Sequence, residues 1–213
     1  MRSYKLNKEH AVEGDSTSSR IEESGQYIGV FTEAKEVKSE KGTEGVELKF
    51  KSNTGLEASY MTLWTYNAQG EAIWGLKQLN ALMMCASVRE LNPISAQGKI
   101  YDGSQMVDAE ITIFPELMNK PIGVVLQKEL YTKNNGDDSS RMNLFAFFNH
   151  ESKKTASEIA DKKDATALTS MLKTLADRDN RKPSHGNNNG QAGGAAPASD
   201  SNADEEWDDD VPF

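Results

Sequence analysis

The sequence predicts a mainly β domain, an antiparallel barrel of five to six strands with one internal helix, followed by a C-terminal helix and a disordered acidic tail. Three observations predict it. Apolar residues alternate with polar ones at period two from Gly25 to about residue 150. One stretch of helical spacing interrupts this pattern after the third strand. Composition then changes at Pro183, where Lys and Arg disappear and Gly, Asn, Ala, Ser and Pro take over.

Residues 1–24 are polar, with a turn-rich run from Gly14 to Ser19, and read as a flexible head. Gln26 to Val37 carries Tyr27, Val30 and Phe31 and reads as the first strand. In Gly45 to Lys51, Val46, Leu48 and Phe50 point one way while Glu47, Lys49 and Lys51 point the other. A Ser52–Gly55 turn separates this second strand from a third, Leu56 to Tyr66. After the Asn67–Gly70 turn, Ile73, Trp74, Leu76, Leu79, Leu82 and Met83 fit an amphipathic helix of about four turns. Val107 to Phe114 and Ile122 to Thr132 are strand-like, and the Lys133–Asp138 turn leads into a last strand, Arg141 to Asn149. The order is that of an oligonucleotide/oligosaccharide-binding (OB) barrel, and a generic α+β sheet fits it too. Residues 155–178 place Ile159, Leu168, Met171, Leu172 and Leu175 on one side of a second helix. The expected division is therefore an OB-like domain at 25–150, a helical extension at 151–182, a flexible linker at 183–203 and an acidic tail at 204–213.

The chain has 213 residues and a formal charge of −9. Residues 183–213 hold seven acids and no Lys or Arg, so the body carries only −2. Such a balance neither suggests nor excludes a nucleic-acid partner, because the surface distribution decides that. Cys85 is the single cysteine, which leaves no internal disulfide and no cysteine-based zinc site. It sits beside Met83 and Met84 and reads as a small buried hydrophobe. His10, His150 and His185 fall in the head, at a strand end and in the linker, so no shared metal site is expected. No apolar run approaches the ~20 residues of a membrane helix, and the first residues lack the apolar core of a signal peptide. The expected setting is cytoplasmic, with no membrane.

No phosphate-binding glycine loop, Gly-x-Ser-x-Gly or His-Glu-x-x-His is present, so neither an enzyme nor a cofactor is expected. Asp102, Asp108, Glu110 and Glu116 read as solvated loop and strand residues rather than a Mg²⁺ site.

The aromatics say more. Tyr60, Thr62, Trp64 and Tyr66 share one face of the third strand, and Met61 and Leu63 share the other. Large side chains on both faces mean that one face is either extra core or a binding surface. Exposed aromatics on a barrel strand are what a single-strand binder needs, because every base has a π-face to stack on. Lys49 and Lys51 project beside them, and Lys128, Lys133 and Arg141 flank the last hairpin as candidate phosphate contacts. Phe145 and Phe147 fall on one face of the last strand, opposite Leu144 and Phe148, and one pair is a candidate for stacking. Trp74 and Phe50 read as core.

Asp208, Asp209, Asp210, Val211, Pro212 and Phe213 closely resemble the terminal motif of bacterial single-stranded DNA-binding proteins: three Asp, an aliphatic residue, Pro and Phe. In that family the motif follows a Gly/Asn/Gln/Pro-rich linker after an OB-fold, the place that residues 183–203 occupy here. The body, including the run from Lys120 to Glu129, looks more like a phage-encoded group of single-domain proteins found with replication and recombination genes; the helix at 155–178 departs from the bacterial pattern. The resemblance implies a host-cytoplasmic protein that coats single-stranded DNA, with the tail as a peptide ligand for replication, recombination or repair enzymes. A partner pocket would take the Phe213 ring, and the acids would steer the encounter. A different reading is an adapter or inhibitor that captures tail-reading host enzymes without binding DNA. Homo-oligomerisation is left open, as is whether helix 155–178 packs within one subunit or between two.

Overall fold

The computed structural model describes residues 19–101 and 104–182. The expected linker, the acidic tail, Asp102 and the first 18 residues of the head lie outside the described residues. The rest is mainly β, in the order β1 (Gly25–Lys38), β2 (Glu44–Ser52), β3 (Glu57–Tyr66), α1 (Trp74–Cys85), β4 (Ile94–Tyr101), β5 (Met106–Ile113), β6 (Pro121–Thr132), β7 (Asp138–Phe148), α2 (Ala156–Ala160), α3 (Ala167–Thr174) and β8 (Arg178–Asn180).

β1 organises the sheet. One of its edges pairs with β2 from Gly29 to Lys38. The other pairs with β6 from Gly25 to Val30, then reaches β5 at Lys35 and Ile113. A bulge between Phe31 and Glu33 accompanies this change of partner. The order β3-β2-β1-β6-β7 results, with β4–β5 as a side hairpin on β1 and β8 parallel to β6. The sheet does not close: β3 and β7 approach each other but share no ladder. α1 crosses this open side, where Gln78 donates to the Leu144 carbonyl (3.2 Å) and Asn149 to the Cys85 carbonyl (3.1 Å).

Alternation explains the core. Val46, Leu48 and Phe50 of β2 and Met61 and Leu63 of β3 turn inward, against Leu79 and Leu82 of α1. Phe31 meets Phe50 edge-on, with ring centroids 5.7 Å apart. Cys85 is fully buried there, and burial pushes its thiol up to about 12, in line with its reading as a small hydrophobe. β6 is covered on both faces. Ile122, Val124 and Leu126 face the main core, and Val125 faces a second cluster with Phe148 and Leu168.

Residues 19–24 belong to this body rather than to a loose head. Ile21 is buried and donates its N–H to the Glu57 carbonyl (2.8 Å), and the Ser24 hydroxyl accepts from the Lys128 N–H (2.8 Å). The extension is also corrected: the single helix expected over 155–178 is two short helices, packed on their own sheet. Glu158 divides them. Its carboxylate accepts from the Thr155 N–H (2.9 Å) and hydroxyl (3.0 Å) at the start of α2, and from the N–H groups of Thr166 (2.6 Å) and Ala167 (2.7 Å) at the start of α3. One side chain thus caps two helices. These bonds hold Glu158 down at about 2. A carboxylate with a lowered folded-state pKa adds stability above its unfolded value and loses it as pH falls. Glu158→Gln should therefore melt below wild type at pH 7, and the gap should shrink as pH drops from about 4.5 towards 2. A gap independent of pH would mean that the carboxylate charge is not what holds the two caps.

Candidate nucleic-acid interface

The predicted stacking residues of β3 lie on the outward face. Met61 and Leu63 occupy the core, while Tyr60 is 76% and Tyr66 37% exposed. Trp64 is half-buried because its ring leans over Gly45, its register partner on β2. A Cβ at Gly45 would lie 2.7 Å from the Leu63 carbonyl oxygen and 3.0 Å from the Trp64 ring, so the close approach needs glycine here.

Tyr60 owes its exposure to an irregularity. β2 pairs Leu48 with Met61 and Phe50 with Ala58, so Ser59 and Tyr60 together oppose the single residue Lys49. This bulge puts Tyr60 in the left-handed region at φ +60° and swings its ring into solvent. For an aromatic residue that conformation is strained, and such strain gathers at functional sites.

The same face continues across β2 and β1 in rows set by the register. Val37, Gly45 and Trp64 form one row, and Lys35, Glu47 and Thr62 the next; Glu33 then faces Lys49, and Val30, Lys51 and Glu57 complete the face. Its charges are paired. Lys35 holds Glu47 at 2.8 Å and Glu33 at 3.1 Å; Lys49 and Lys51 hold the two oxygens of Glu57 at 3.0 and 3.3 Å. Burial acts to lower the Lys35 pKa, but its bonds to the two glutamates outweigh this and hold it above the ordinary lysine value. The Lys49 bond, helped by Lys51, keeps Glu57 below the usual carboxylate range. Three lysines therefore pair with three glutamates, and the charges of these rows balance.

The second predicted cluster divides. Phe145 is 45% exposed, on the strand that faces β3 across the open side. Phe147 is only 4% exposed and lies in the main core, so it is not available for stacking. The cause is a bulge. Val125 pairs with Ala146 and Leu126 with Leu144, which leaves Phe145 as the extra residue. Leu144 and Phe147 therefore share the core side, and the simple alternation of the sequence fails. Arg141 is committed elsewhere as well. Its Nε donates to Glu129 at 2.8 Å and its guanidinium lies 5.2 Å from the Tyr131 ring centroid. Glu129, buried, also accepts from Asn143 and from Asn180 of β8, so this carboxylate fastens the C-terminal strand to the hairpin. Lys128 and Lys133 remain on the hairpin, with Lys133 exposed at its turn. No described ion pair or ring contact joins this hairpin to the β3 aromatics.

Trp74 is not core: it is 62% exposed, with the Lys77 ammonium 5.3 Å from its ring centroid. The inward side of α1 is instead Gly75, Leu79, Leu82 and Cys85. A Cβ at Gly75 would fall 1.9 Å from the Trp64 carbonyl oxygen, so this helix start rests directly on the β3 backbone. A glycine at a core-facing helical position was the available signal that Trp74 sits on the rim.

Among the described residues, no three His, Cys, Asp or Glu side chains converge as metal ligands. Glu116 accepts from the Asn92 side chain (3.1 Å), and Glu110 accepts from Ser95. No described helix is long and apolar enough to cross a membrane. No protein-family model and no curated protein matches the chain.

Proposed function

We propose that this chain binds single-stranded DNA without sequence preference, and coats it during replication, recombination or repair in a phage-infected bacterium. The body is read as an OB-like barrel left open between β3 and β7. Its outward β1–β2–β3 face takes the strand, and no enzymatic step is assigned to it. Residues 208–213 act as the recruitment peptide for partner enzymes.

One observation carries this reading: Tyr60, Trp64 and Tyr66 line the solvent face of β3 while that strand's core is filled by Met61 and Leu63. Stacking needs such rings, and bases of any identity satisfy them. The adapter reading draws support from a different observation, the balance of lysine and glutamate on the same face.

Retardation of labelled oligo(dT) at low salt separates the two. The DNA reading expects a complex, quenched Trp fluorescence, and a fall of log K with log salt of about 0.7 per phosphate contact. A chain ending at residue 203 should bind more tightly at low salt. The seven acids of residues 183–213 would compete with phosphate at the face. No complex at low salt sinks the DNA reading and leaves the adapter.

A further inference from the structure

The aromatic face raises a question that rests on the DNA reading: lysines already paired with glutamates offer a polyanion little electrostatic gain, yet they lie beside the rings that bases would stack on. Glu57 holds the answer. Its carboxylate holds both Lys49 and Lys51, one oxygen to each. Both lysine side chains are more open to solvent than that of Glu57, at 40% and 50% against 30%. A phosphate can thus reach the lysines from solvent in competition with Glu57.

The backbone that carries this side chain is fixed in place. The Glu57 N–H donates to the Ser19 carbonyl (2.6 Å), its own carbonyl accepts from the Ile21 N–H (2.8 Å), and it stands directly opposite Lys51 in the β2–β3 register. Neighbouring Glu33 and Glu47 are held by Lys35, so they do not substitute for Glu57 at Lys49 and Lys51.

We infer that Glu57 is a specificity-determining residue that occupies the two phosphate-binding lysines in the free protein and must be displaced for DNA to bind. Displacement trades one set of ion pairs for another, so charge alone brings little advantage. A ligand that also supplies bases for Tyr60, Trp64 and Tyr66 recovers the difference through stacking. Glu57 therefore sets a threshold: polyanions without bases stay off the face, and single-stranded DNA crosses it.

The test compares wild type and Glu57→Gln with oligo(dT) and with an abasic deoxyribose-phosphate oligomer of equal length. Removing the competitor of two exposed ion pairs should tighten oligo(dT) binding by about 2- to 30-fold. It should steepen the salt slope by about 0.7, the value of one added unit of positive charge. The abasic oligomer, unbound by wild type at moderate salt, should become a measurable ligand. Equal affinities and equal slopes in a folded Glu57→Gln overturn the inference while leaving DNA binding intact. Failure of wild type to bind oligo(dT) at all is the separate failure of the functional reading. Lys51→Gln gives a second route if Glu57→Gln does not fold: its slope should flatten, and an unchanged slope overturns the inference as well.

Discussion

Trp64→Ala should weaken oligo(dT) binding by about 1–3 kcal/mol and leave the melting temperature near that of wild type. The asymmetry follows from where the ring lies. It rests on the outward surface over Gly45, while the inward side of β3 belongs to Met61 and Leu63. Removing it opens no hole in the core, but it takes away the largest π-surface on the strand. Isothermal titration and thermal melts on the same preparation check both halves. A sharp loss of melting temperature with affinity intact would make Trp64 a packing residue and would remove the main support for stacking at this face. Tyr60→Ala offers a cleaner companion, because a ring 76% exposed contributes little to packing.

The largest loss of stability is expected from Phe148→Ala, at about 3–5 kcal/mol. Phe148 is fully buried where β6 and β7 meet the extension, against Val125 and Leu168. The Lys153 ammonium lies 5.6 Å from its ring centroid. A cavity here would loosen α3 from the sheet that anchors it. Urea unfolding followed by circular dichroism measures the cost. A loss below about 1 kcal/mol would mean that the extension is not part of the cooperative unit, since a well-packed aromatic is not removed that cheaply.

Most of this architecture is legible in the residues because burial is one-sided. Val46, Leu48 and Phe50 against Glu47, Lys49 and Lys51 announce a half-buried strand, and the structure bears out that alternation. The reading fails where another force sets the geometry. Counting in twos puts Phe147 with Phe145, but the bulge at Phe145 adds one residue and moves Phe147 to the core. Apolar spacing alone makes 155–178 one continuous helix, whereas the Glu158 oxygens serve two helix starts. β4 went unread because Ala96 and Gly98 give a weak apolar signal, and pairing with β5 holds it. β8 is three exposed polar residues fixed by backbone pairing and by Glu129, and no pattern of burial marks it. For the candidate site, the aromatic positions on β3 were visible from spacing. The carboxylate that occupies Lys49 and Lys51 was not, because it comes from the next strand.

The β4–β5 hairpin has a consequence of another kind. Its register puts Ile94 opposite Ile113, Ala96 opposite Ile111, Gly98 opposite Ala109 and Ile100 opposite Val107, yet none of these residues joins either core cluster. Its ladder to the rest of the sheet contains the single pair Lys35 and Ile113. The hairpin can therefore open at the expense of its own hydrogen bonds, without disturbing the core around β6. Its amides would exchange with solvent through small, local excursions, while those of β6 wait for the whole molecule to unfold. Two clocks run in one domain, and a melting curve reads only the slower.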